Sequence, residues 1–161
     1  MKTQTSYLQS HQAILTKTAR LNNDEKVSSV APQSAAEWEN ELAIFSELNT
    51  INKPINKGEY QIENYPDTKS NLIVKSFSTT EELPVKFLKL YYRGTLDRLY
   101  KIEAQYNETN SLFSSGRFLT MEFEEISGKS ALSSYAIKGG QKMVLDDSVQ
   151  YDVKVIVKTN R

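Results

Sequence analysis

The chain has 161 residues, enough for a single domain to bury a continuous core without disulfides or a metal. Its 20 basic and 20 acidic side chains cancel, and no run of Lys or Arg appears, which disfavours a general nucleic-acid binder because counterion release needs clustered cations. The absence of cysteine excludes disulfide scaffolds, thiolate metal sites and Cys nucleophiles together, and leaves the redox compartment open.

From Tyr7 to Leu21 the apolar residues Tyr7, Leu8, Ile14, Leu15 and Leu21 recur at intervals that predict a first helix. The polar, turn-rich stretch from Asn22 to Pro32 reads as a flexible connection. A second helix is clearer. Ser34 and Glu37 form a capping-box pair, and Trp38, Leu42, Phe45 and Leu48 then fall on one face. Glu37, Glu39, Glu41 and Glu47 are expected on its solvated side. Asn49-Thr50-Ile51-Asn52-Lys53-Pro54 ends the helical pattern.

After Gly58 the periodicity becomes that of strands, expected over 59–65, 70–78, 85–92, 97–107, 117–125, 132–145 with a break, and 149–158. Their short links make the neighbours antiparallel, mostly a meander. Val149, Tyr151, Val153, Val155 and Val157 share one face of the last strand, as Tyr100, Ile102, Ala104 and Tyr106 do of another. Between Val85 and Tyr92, Phe87 and Tyr91 lie opposite Leu88, Leu90 and Tyr92, which predicts a strand covered on both sides, once by the helix bearing Trp38 and Phe45. The expected architecture is α+β: one domain over 1–161, with a helical region at 1–50 packed on a curved antiparallel sheet of about seven strands at 58–161. Two layouts fit the pattern. One is a half-barrel that wraps the helices, the other a flatter sheet with helices on one face.

No catalytic residue, metal ligand or cofactor site is assigned from the sequence. The single histidine, His11, removes His-based metal clusters and Ser-His-Asp triads and is expected at an exposed helix position. Glu81-Glu82, Glu124-Glu125 and Asp146-Asp147 are adjacent carboxylates, which point to opposite faces of a strand, whereas glycosidase chemistry needs two across one bond. Glu122 and Glu124 share a face, expected to be the solvated one, and Asp146-Asp147-Ser148 reads as a turn. Gly139-Gly140-Gln141 matches the tripeptide with which release factors position water, but interrupts a β pattern and reads as a bulge or bend. Asn107-Glu108-Thr109 fits an N-glycosylation acceptor and is read as a turn. Nine tyrosines stand out; Tyr91, Tyr92, Arg93 and Tyr135, together with Trp38 and Phe45, are the candidate ligand-contacting residues. No apolar stretch approaches the ~20 residues of a membrane span, and the start at Met1 lacks the apolar centre of a signal peptide.

The segments Glu37-Trp38-Glu39-Asn40-Glu41-Leu42-Ala43-Ile44-Phe45, Ile51-Asn52-Lys53-Pro54 and Tyr135-Ala136-Ile137-Lys138-Gly139-Gly140-Gln141-Lys142 together resemble an uncharacterised group of Bacteroidetes lipoproteins. That resemblance implies a cell-envelope location and a membrane link only through a lipidated N-terminal cysteine, which this chain lacks; it supplies no catalytic residues. The functional expectation is a non-enzymatic envelope domain that binds a protein, glycan or lipid, not nucleic acid, through its sheet or the seam between helix and sheet. The alternatives are a carrier with an apolar cavity beneath Trp38 and Phe45, like lipoprotein-carrier half-barrels, and, third, a hydrolase with an unrecognised carboxylate site.

Overall fold

Two-residue alternation governs more of the chain than its sequence suggested. The computed structural model describes residues 2–145 and 147–159, and nine strands form one open sheet with a few short helices against it. The strands are β1 (Ile14–Leu21), β2 (Asp24–Val30), β3 (Gln61–Pro66), β4 (Ile73–Ser78), β5 (Val85–Tyr92), β6 (Leu99–Thr109), β7 (Phe113–Ile126), β8 (Lys129–Met143) and β9 (Val149–Lys158). Their spatial order is β2-β1-β9-β8-β7-β6-β5-β4-β3, and every neighbouring pair is antiparallel. The run β3 to β9 is a meander, and the N-terminal hairpin β1–β2 adds to its far end by pairing with β9.

That hairpin corrects the expected helix over Tyr7–Leu21 and the expected flexible link after it. Helix α1 spans only Lys2–Ser10. Beyond it Gln12 takes a φ of 45° and turns the chain into β1. The β-branched Ile14, Thr16 and Thr18 favour extended backbone, and alternation sends Leu15 and Ala19 inward opposite Val157 and Val153 of β9. A helix in their place would leave the valine-bearing edge of β9 unpaired.

Helix α2 (Ala35–Glu41) begins at the expected cap, Ser34, although the return bond of Glu37 goes to the residue before the cap and not to the cap's own amide. The Ser34 hydroxyl accepts a bond from the Glu37 amide at 3.2 Å, while the Glu37 carboxylate reaches back to the Gln33 amide at 2.9 Å. After Leu42 the chain continues as α3 (Ala43–Ser46) and two 3-10 turns, Glu47–Asn52 and Pro54–Asn56. Trp38, Leu42, Phe45 and Leu48 all turn toward the sheet and are buried. They meet Leu88, Ala104, Leu119, Met121, Tyr135 and Val155 in one core.

Several strands run longer than expected. Asn107-Glu108-Thr109 is the end of β6, not a turn, and pairs with 114–116 of β7. Gly139 and Gly140 do not break β8: they pair in register with Arg117 and Gly116, and the irregularity in this ladder falls at Glu122/Phe123 instead. The β7–β8 turn is Ser127-Gly128, with φ of 51° and 77°, the positive values that a two-residue type I′ hairpin needs. In β5, Leu88 and Leu90 face the helical segment, and Phe87 and Tyr91 on the opposite face are half-buried by neighbouring side chains. Among the described residues no helix is long and apolar enough to cross a membrane. Met1 and Asp146, which entered the sequence reading, lie outside the described residues.

Candidate functional site

One face of the sheet is covered by α2, α3 and the first 3-10 turn. Glu41 anchors that roof. It was expected on the solvated side of α2, yet its carboxylate accepts from Lys17 of β1 at 2.5 Å and from the Tyr135 hydroxyl of β8. Glu37, Glu39 and Glu47 are exposed, as the acidic pattern predicted. Burial, followed by the bond to Glu41, pushes the Tyr135 hydroxyl well above its ordinary range. The Tyr135 ring meets Phe45 edge-on at 5.5 Å, and Trp38 is wholly enclosed beside them with its indole N–H unpartnered among the described residues. Lys17 of β1 and Tyr135 of β8 both bond to Glu41 and so tie α2 to two strands of the sheet.

Further along the same seam the packing opens. The wall made by Phe45, Leu48 and Ile51 stands away from the sheet and leaves a cleft of about 380 Å³. Its floor is Leu88 and Leu90 of β5, Leu99 and Ile102 of β6, and Met121 and Phe123 of β7. Gln4, Asn49 and Asn52 are its polar lining residues, and none of the lining side chains is charged. Gln4 is engaged, donating to the Ser130 carbonyl at 2.6 Å and accepting from the Leu132 amide at 3.1 Å, which pins α1 across β8. The Asn52 amide donates to Asn49 at 2.7 Å, so both mouth residues present neutral amides. In the 3-10 turn Glu47–Asn52, Leu48 and Ile51 are three residues apart and so fall on one face, which puts both on the wall of the cleft.

The six residues singled out from the sequence are not brought together. Trp38, Phe45 and Tyr135 belong to the core, and only Phe45 borders the cleft. Tyr91 sits on the face away from the helices, where its hydroxyl donates to Glu103 at 2.7 Å and Lys101 lies 4.3 Å from its ring centre. Burial and that bond push the Tyr91 hydroxyl up. Burial works against the Glu103 carboxylate, but bonds from Lys101 and Tyr91 outweigh it and hold its pKa below the usual value. Tyr92 is half-buried, and Arg93, exposed, lies over the Tyr100 ring at 4.4 Å. His11 stacks on Tyr7 at 4.2 Å with Nδ1 2.9 Å from the Tyr7 carbonyl oxygen, an end cap for α1. The cleft floor was visible in the sequence only as ordinary core alternation. The 3-10 turn from Glu47 that supplies its opposite wall has no sequence signature beyond the asparagines that follow.

No protein-family model, curated protein or solved structure matches this chain.

Proposed function

We propose that this protein is a non-catalytic binding domain that holds a single hydrocarbon chain of a lipid in the seam between the 3-10 turn and the sheet. The cleft carries this reading. It has the size of a small-molecule pocket, for which about 300–1,000 Å³ is usual, and room for about a dozen groups at the ~30 Å³ of a water molecule. Nine of its twelve lining residues are apolar, and the rest are uncharged amides, which suit an acyl chain with an ester or amide neck and disfavour a fatty acid carboxylate. The resemblance to envelope lipoproteins supports a compartment where such chains are the surrounding medium. The cleft borders Phe45, one of the two residues beneath which the carrier alternative expects its cavity, and extends from there to Ile51.

The test is titration of the purified protein with a fluorescent fatty-acyl ester, beside the Leu90→Trp variant, whose larger side chain fills the floor from a strand already in place. Saturable binding by the natural sequence that Leu90→Trp weakens about tenfold or more, with its melting temperature kept, is the expected result. Binding that Leu90→Trp leaves unchanged, or none at all, would sink the proposal.

A further inference from the structure

A second depression lies on the opposite face of the sheet, and one of its lining residues is a glycine that the fold does not require. Gly116 of β7 pairs with Gly140 of β8, so two facing positions on that surface carry no side chain. The neighbouring Gly139 has a packing reason to be glycine, and Gly140 meets only the end of a movable side chain. A Cβ on Gly139 would lie 2.3 Å from the Gly116 carbonyl oxygen, and one on Gly140 would lie 2.7 Å from the Gln150 side chain. At Gly116 the nearest atoms are the ends of Asn107 and Gln105, at 3.4 and 3.5 Å, ordinary contact distances. Its φ is not positive either. Glycine inside a strand weakens it and marks a place where something approaches the backbone closely. Neither another strand nor a side chain makes that approach at Gly116.

What surrounds the gap indicates its occupant. The depression holds about 700 Å³ and crosses the strands from Ser114 and Gly116 to Asn22 and Arg20. The row through the glycines continues onto Gln150 of β9, whose amide nitrogen donates to the Asn22 side chain at 3.1 Å. On either side of that row stand Lys138 and Lys142, exposed and four residues apart on one face of β8. Among the described residues neither lysine has a carboxylate within salt-bridge distance, whereas Arg20 is held by Glu25 at 2.6 Å. Three cations line the depression against the single carboxylate of Asp152. Serine hydroxyls and side-chain amides supply paired donors and acceptors, and the side chain of Gln150 reaches across Gly140 as part of the floor.

We propose that this groove binds an acidic oligosaccharide: a sugar ring lies over Gly116 and Gly140, its hydroxyls bond to Gln150, Asn22 and Ser114, and its acid groups face Lys138 and Lys142. This site is separate from the apolar cleft and stands or falls without it.

The experiment is calorimetric titration of the natural sequence with an oligogalacturonate, with its methyl ester as the uncharged counterpart and inorganic phosphate as the ion control. Expected is saturable binding of the acid form, weakened about tenfold or more in the ester and in Lys138→Gln/Lys142→Gln, and weakened further by added salt. Gly116→Val, with a side chain suited to a strand, is expected to abolish binding while the melting temperature holds or rises. The surface double variant keeps the test decisive if Gly116→Val fails to fold. No binding of the acid form, equal binding of the ester, displacement by phosphate at matching concentration, or a folded Gly116→Val that binds undiminished would each overturn the proposal.

Discussion

Glu39 and Glu41 stand two residues apart on one short helix, the first in water and the second tied to Lys17 and Tyr135. The difference lies in partners 24 and 94 residues away in sequence, which no local pattern announces. Because the folded state holds the Tyr135 proton more tightly than the unfolded chain does, this group's contribution to stability is whole below its ordinary pKa of 10.0. It is lost progressively as pH rises above that value. Urea midpoints measured on both sides of pH 10 are expected to fall on the alkaline side, and to fall less steeply in Tyr135→Phe; equal slopes would contradict the assignment. The two glycines of β8 give a second contrast at this scale. Gly139→Ala forces its methyl against a backbone oxygen and is expected to cost about 1–3 kcal/mol, as overpacking does. Gly140→Ala meets only the movable end of Gln150 and is expected to change stability by less than about 1 kcal/mol in the same denaturant assay. Trp38 and Phe45, by contrast, were legible as residues facing the sheet, since a capped helix with one apolar stripe has nowhere else to put them.

Among the elements, those with clean alternation and two buried neighbours were read to the residue: the expected strands at 85–92 and 149–158 coincide with β5 and β9. In β9 the valines at 153, 155 and 157 turn one face to the core, and in β5 Leu88 and Leu90 do so while Phe87 and Tyr91 are half-buried on the other face. The hairpin β1–β2 was lost for the converse reason. Its second strand is an edge, exposed along nearly its whole length, and Asp24-Glu25-Lys26 reads as loop because no core demands anything of it. Its first strand carries its apolar residues at spacings that fit a helix and a strand alike, and only β9 decides between them. The cleft belongs to this scale too. Its floor was legible as alternating Leu88/Leu90 and Met121/Phe123, but part of its opposite wall comes from a 3-10 turn whose boundary composition does not mark.

The whole molecule is held together across its full length, because β1 and β9 are neighbours in the sheet although well over a hundred residues separate them. Loop closure on that scale precedes the reward of pairing, so the ladder joining the two ends is the slowest part of the sheet to assemble. Removing residues 1–30 is expected to bare β9 as an edge carrying Val153, Val155 and Val157 on its core face, and to produce aggregation visible in size-exclusion chromatography and light scattering. A truncated chain that stays monomeric and folded would show that the hairpin is an accessory to a sheet already complete without it.

The same pairing sets how the protein bears load. Ile14, where β1 begins, lies opposite Lys158, where β9 ends, so a pull applied through these two positions acts at one end of a shared antiparallel ladder. Force arrives across the strands, along the hydrogen bonds, and meets them one pair at a time. The sheet then peels like a zipper from its N-terminal hairpin, yielding at small forces, although the same ladder sheared lengthwise would resist with all its bonds at once.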